Sequence, residues 1–193
     1  ALTTEILSDV TGARPSGWFS LPRAGDAFAV GAVSENTMDL LLEAGYAYMG
    51  NGLSDDIPHY WVSDFATRRS ILTMPYYYHF DDQFFLLFPK KGPGLEHADS
   101  LYANWVAEFN AQYRRGRYFN MVLHPAAIGW CNRIKLLEDF FEHLQRAPDV
   151  WNPSSGGCAA YWADAYPAST TLKLEESIWR DYPGSLSYPA AFN

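Results

Sequence analysis

The sequence predicts an α/β chain of parallel strands with flanking helices. Short apolar runs at Tyr46–Met49, Ile71–Met74 and Tyr118–Leu123 alternate with longer amphipathic segments. The second and third runs are stopped by proline, at Pro75 and at Pro125 after His124. The polar, aromatic and ionisable clusters follow strands rather than helices, which in a β/α barrel is the catalytic face. About four or five βα units are legible, roughly half of such a barrel.

The elements follow in chain order. Leu2, Ile6, Leu7 and Val10 have helical spacing, and Thr11-Gly12 ends that run. It reads as the tail of a longer helix. Pro15 disfavours helix at Ala13–Arg14, so Arg14–Phe19 is expected to be short and extended. Residues 20–33 read as a Gly/Ala-rich loop. Ser34 is a candidate N-cap for a helix through Met38, Leu41 and Leu42 that stops at Gly45. Tyr46–Met49 reads as a strand, residues 50–60 as a polar loop and Ile71–Met74 as a buried strand. An aromatic loop from Tyr76 to Asp82 and a Pro/Gly loop over 86–97 follow.

Residues 98–115 carry Leu101, Tyr102, Trp105, Phe109 and Tyr113 on one helical face, with Gly116 behind them. Tyr118–Pro125 is the centre of the pattern: a buried strand that delivers His124 at its end, where Pro125 prevents continuation. Residues 131–146 predict a helix buried through Ile134, Leu137, Phe141 and Leu144. Val150–Trp151 could start a short strand, Gly157–Tyr166 a last long helix, and Leu172–Trp179 one or two further turns. The expected division is residues 1–166 as the main unit and 167–193 as an extension packed on it or on a partner.

Composition narrows the function classes. The chain has 193 residues, 48% hydrophobic and 19% charged, which suits a packed domain. Aromatics reach 17%; they could line a carbohydrate or ring-binding cleft, or simply fill a core. A net charge of −8 with no basic run beyond pairs such as Arg114-Arg115 argues against nucleic acid and anionic membranes. No apolar run approaches the roughly 18 residues of a membrane span, and no signal peptide is visible, so the expected location is cytoplasmic. Cys131 and Cys158 lack metal-binding spacing and read as free thiols.

The candidate chemistry centres on His124. A strand-end histidine facing a pocket can protonate a leaving group near neutral pH; the alternative is a structural histidine bonded to backbone. Arg14 could orient a carboxylate or be an ordinary surface arginine. Asp55 and Asp56 could hold a base, a metal or that arginine, or cap a turn. Tyr76–Tyr78, His79, Asp81 and Asp82 could line a pocket, or combine packing with a solvated loop end. His59, His97 and His143 have no partners at metal-binding spacing. Nucleophile and phosphate-loop motifs are missing from the sequence, and Cys131 has no neighbouring base.

Four motifs in order resemble the polysaccharide deacetylase superfamily: Arg14-Pro15-x-Gly17-Trp18, Ser54-Asp55-Asp56-x-Pro58-x-Tyr60-Trp61, Pro75-Tyr76 and Leu123-His124-Pro125. The branch they most resemble is the metal-independent allantoinase and cyclic-imide hydrolase type, over roughly residues 1–165. The resemblance implies the C-terminal part of a distorted (β/α) barrel, a TIM-like architecture, that hydrolyses non-peptide C–N bonds. It implies that His124 protonates the leaving nitrogen and that Arg14 orients a catalytic aspartate. It implies that Asp55, Asp56 and Trp61 shape the pocket and support the histidine, and that Trp18 and Tyr76 line the substrate site. The family's early Asp-Asp and His-x-x-x-His motifs precede the arginine motif and are not in this chain. The resemblance therefore implies that a second chain carries the first half of the barrel, as a hetero-oligomer. A divalent metal such as zinc, if used, would be bound mainly by ligands outside this chain. A cyclic amide, imide or ureide is the expected substrate; an N-acetylated oligosaccharide, or a non-catalytic binding subunit, are the alternatives.

Overall fold

The computed structural model describes residues 2–20, 36–52, 55–75, 80–82, 86 and 98–172. Helix α1 spans Leu2–Thr11 and strand β1 spans Gly17–Trp18. Helix α2 is Thr37–Glu43; strands β2, β3 and β4 are Tyr48–Gly52, His59–Asp64 and Arg69–Pro75. Helix α3 is Ala98–Arg115, α4 the single turn Pro125–Ile128, α5 Cys131–Gln145, α6 Ser155–Ala165 and α7 Ala168–Thr171.

The four strands form one sheet in the order β1-β2-β4-β3. β1, β2 and β4 are parallel, as the alternating pattern predicts. β3 is antiparallel to β4, with His59 opposite Thr73 and Trp61 opposite Ile71. The expected polar loop over 50–60 therefore needs correction at both ends: β2 runs on to Gly52 and β3 begins at His59. The hairpin turn is held by Asp64, whose carboxylate accepts from the Ala66 and Thr67 N–H groups at 2.8 and 3.4 Å.

The largest departure from the sequence reading lies at residues 118–124, which carry no regular secondary structure and are half-buried, where a buried strand was expected. The segment is held by side chains instead. Tyr118 packs both against the α3/α5 core and against Leu72 and Met74.

Helices cover both sheet faces. Met38 and Leu41 of α2 pack on Met49 and Ile71. Ala159, Cys158 and Trp162 of α6 pack on Leu72 and Met74 on the opposite face, the period-two alternation of a strand. α2 stops as predicted: Gly45 adopts φ 77°, and Gly45 and Tyr46 N–H groups bond back to Leu42 and Leu41 carbonyls. The main core lies between α3 and α5, around Leu101, Trp105, Phe109 and Phe140.

Two apolar stripes differ from expectation. On α5, Leu137 and Leu144 pack against the core as expected, while Arg133 and Phe140 are buried in place of Ile134 and Phe141, which are 37% and 44% exposed, so the stripe is rotated toward Arg133 and Phe140. Phe140 fits among Trp105, Phe109 and Phe119, which fixes that rotation. α1 buries Thr4, which shares a 2.7 Å hydrogen bond with the Tyr46 hydroxyl, and leaves Leu2, Ile6, Leu7 and Val10 exposed. Val150–Trp151 is irregular and exposed rather than a strand. Of the 167–193 extension, only residues up to 172 are described.

Candidate functional site

The site forms beyond the C-terminal end of β4, where the chain runs through Phe80, Asp81 and Asp82 beside residues 122–124. The two stretches are tied by backbone: the Asp82 N–H donates to the Val122 carbonyl at 3.3 Å. The Asp82 carboxylate, fully buried, returns the tie. Its two oxygens accept from the His124 N–H at 2.9 and 3.0 Å, and Oδ1 lies 2.9 Å from His124 Nδ1. Asp81 is also buried, with Oδ1 at 3.5 Å from the same ring nitrogen.

His124 is fixed on its other side as well. It occupies the N-cap position of α4, in extended conformation, and Pro125 follows at the first helical position. Its carbonyl accepts from the Ala127 and Ile128 N–H groups at 2.8 and 2.9 Å. Arg133, buried in α5, donates through Nη1 to the Ala127 carbonyl at 2.6 Å and braces the same turn. The backbone of His124 is thus held at both N–H and C=O.

The electrostatics assign the ring. A carboxylate only accepts, so a neutral imidazole in this geometry carries its proton on Nδ1. Among the described residues Nε2 has no hydrogen-bond partner, and the side chain is 38% exposed. His124 is therefore bonded to carboxylates rather than to backbone carbonyls, and it offers one unengaged nitrogen. Asp81 and Asp82 are not a solvated loop end: they are the side chains that hold the histidine. The sequence hint was their position just past a buried strand; the 42-position separation of Asp82 from His124 hid the pairing.

Asp81, Asp82 and His124 are also the one group of three among the described residues whose ligand atoms converge, within 4.8 Å of one another. These donor types suit a divalent metal. As arranged here, both Asp82 oxygens accept from the His124 N–H and Oδ1 also lies within hydrogen-bond distance of Nδ1, so the pair forms a hydrogen-bonded dyad.

The other sequence candidates lie in different surroundings. Arg14 donates to the Ala44 carbonyl at the end of α2. Trp18 stands edge-on to Tyr46, with centroids 5.6 Å apart, and its indole N–H donates to Ser20. Asp55 accepts from the Asp56 N–H at 2.7 Å. Asp56 accepts from the Gln112 amide at 3.1 Å and pairs with Arg117 at 3.3 Å. The Gln112 hydrogen bond, with Arg117 assisting against burial, holds the Asp56 carboxyl below the ordinary 3.8. Trp61 lies on β3, 38% exposed. Tyr76 and His79 lie outside the described residues. Support for the histidine, expected from Asp55 and Asp56, comes instead from Asp82 and Asp81.

No family model matches the chain, and no curated protein matches it. Solved structures do. A structure described as a probable polysaccharide deacetylase from Pseudomonas aeruginosa PAO1 aligns with TM-score 0.70 and 24% identity, over 86% of this chain and 52% of that one. PuuE allantoinase aligns with TM-score 0.69 and 24% identity, over the same shares. The chain spans about half the length of these structures. Its mixed sheet with flanking helices is accordingly the fold of part of a polysaccharide deacetylase-type barrel.

Proposed function

We propose that this chain is the acid-bearing part of a hydrolase acting on non-peptide C–N bonds, and that its substrate is a cyclic amide, imide or ureide. The observation that carries the reading is the imidazole of His124, bonded at Nδ1 to a buried carboxylate and unengaged at Nε2. That is the geometry of a placed proton donor. Water adds to the carbonyl carbon, a base takes the water's proton, and the C–N bond breaks as His124 Nε2 passes a proton to the departing nitrogen. Asp82 holds the ring orientation and stabilises its charged form through Nδ1–H. The family resemblance further assigns Arg14 to orienting the catalytic aspartate and Trp18 and Trp61 to bordering the substrate.

The reading places the base in the remainder of the barrel, carried by a second chain. The exposed apolar residues Leu2, Ile6, Leu7 and Val10 of α1 support such a contact. If a metal serves the attacking water, that remainder supplies its ligands. The reading also places the activity in the cytoplasm. N-deacetylation of acetylated oligosaccharides is the second reading, favoured by the description of one neighbour as a probable polysaccharide deacetylase.

Turnover of hydantoins, succinimide and allantoin against acetylated chito-oligomers, by the native protein with whatever chain copurifies, separates the two. His124→Ala should lower kcat by about 10²–10⁴, the usual worth of a placed acid. Unchanged turnover in that variant removes the role, and full activity of this chain as a lone monomer removes the partner.

A further inference from the structure

Helix α4 is a single turn, too short to satisfy its own carbonyls. In a continuing helix the Ala127 carbonyl would accept from the N–H four residues on. Here the chain leaves the helix at Gly129, and Trp130 is extended, with φ −80° and ψ 142°, before α5 begins at Cys131. Ala127 is fully buried, so bulk water does not reach it. Arg133 fills the place instead. Its Nη1–H donates to the Ala127 carbonyl at 2.6 Å, and among the described residues no other group bonds that oxygen. The rest of the turn closes on His124, whose carbonyl accepts from the Ala127 and Ile128 N–H groups. Ala127 is therefore held at both ends, its N–H by His124 and its C=O by Arg133.

An arginine is a costly filler at this position. Arg133 is 1% exposed, its Nη2 makes no hydrogen bond, and no carboxylate among the described residues pairs with it. A buried charge without a counter-charge is unfavourable. A cation in the first turn of α5 also opposes the helix dipole. An apolar chain of similar length would fill the space without either cost. What it would lack is the Nη1–H. We infer that Arg133 is a positioning residue: its guanidinium closes the α4 turn at Ala127 and so fixes the carbonyl side of His124. Its importance for catalysis rests on reading His124 as the proton donor, but the positioning itself is measurable without turnover. Asp82 holds the N–H side of the same histidine. Loss of the Arg133 donor leaves a buried carbonyl unsatisfied, and the turn opens toward another donor or water. His124 then stays tethered at one side, with the direction of its ring no longer set from the other.

The test is nuclear magnetic resonance of the full 15N-labelled chain, reading backbone amide exchange and the His124 Nδ1–H signal. Arg133→Met keeps an unbranched side chain and deletes the donor. We expect the Ala127 and Ile128 amides to exchange about tenfold faster or more, the worth of one net hydrogen bond, and the Nδ1–H signal to broaden. The Trp105 and Phe109 amides of α3 should keep their native rates, which separates a local opening from a general loss of stability. Should Arg133→Met fail to fold, the native chain with 15N-labelled arginine gives the answer. Its Arg133 Nη1–H should be a resolved, slowly exchanging signal coupled across the hydrogen bond to the Ala127 carbonyl carbon. Native exchange at Ala127 and Ile128 in Arg133→Met, equal acceleration throughout α3, or a freely exchanging Arg133 guanidinium in the native chain overturns the inference. Loss of turnover in His124→Ala bears on the proposed function alone, so the two can fail separately.

Discussion

Replacing Asp82 by Asn keeps the shape of the side chain and removes its charge. In the native site one carboxylate accepts from both the His124 N–H and Nδ1–H. Asparagine keeps one acceptor oxygen, which can stand where Oδ1 meets both donors, but it removes the charge and puts a donating amide in place of Oδ2 against the His124 N–H. Hydrogen bonds to a charged group contribute about 1.5–3 kcal/mol each, and Asp82 is fully buried, so solvent screens little of it. Losing one such bond should destabilise the fold by about 2 kcal/mol. The kinetic effect should be larger. Whichever way the amide turns, the charged ring loses its counter-charge, and an amide facing Nδ1 would also favour the tautomer protonated at Nε2. We expect kcat to fall about 10²–10⁴-fold, close to the loss from removing the acid itself. Urea titration gives the first quantity, and steady-state turnover on an imide substrate the second. A variant with native kcat and a native histidine tautomer would refute the claim that Asp82 sets the ring.

Other predictions concern the supporting structure. Phe140→Ala, at a fully buried ring touching Trp105, Phe109 and Phe119, should cost about 3–5 kcal/mol, read as a lowered urea midpoint. Cys131 is exposed, whereas burial raises the Cys158 thiol pKa, so a thiol reagent at pH 8 should modify Cys131 first; equal rates would contradict that packing. Asp56 titrates below its ordinary value through Gln112 and Arg117, so its contribution is present above the unfolded value of 3.8 and fades as pH falls through the folded one. Asp56→Asn should therefore lower stability at pH 7 by no more than about 1 kcal/mol, since the pair is partly exposed, and should flatten the decline below pH 4.

The fold was legible where local physics decides it. Helix α3 begins and ends where its apolar spacing and Gly116 place it, and α2 stops at Gly45 because glycine accepts positive φ. The parallel strands followed from short apolar runs between helices. What escaped was set by pairing over distance. His59–Asp64 looks like loop sequence until Asp64 turns the chain back on β4. The rotation of α5 depends on Phe140 meeting rings from three other segments.

The site was legible in part for the same reason. His124 is announced by its own neighbours, an apolar run before it and Pro125 after it. Asp82 is not, because its role exists only once β4 and residues 122–124 lie side by side. Asp55 and Asp56 looked equivalent to Asp81 and Asp82 as adjacent carboxylates. The structure separates them: one pair turns toward Gln112 and Arg117 near the surface, the other is buried against the imidazole.

The most direct test of the account compares two amide substrates that differ in the basicity of the leaving nitrogen. The native complex and its His124→Ala form are assayed for kcat/KM on both. If His124 protonates the departing nitrogen, the variant should lose about 10²–10⁴-fold on the substrate with a basic leaving group. It should lose far less on one whose nitrogen departs without a proton. An equal loss on both would contradict the assignment of His124 as the acid.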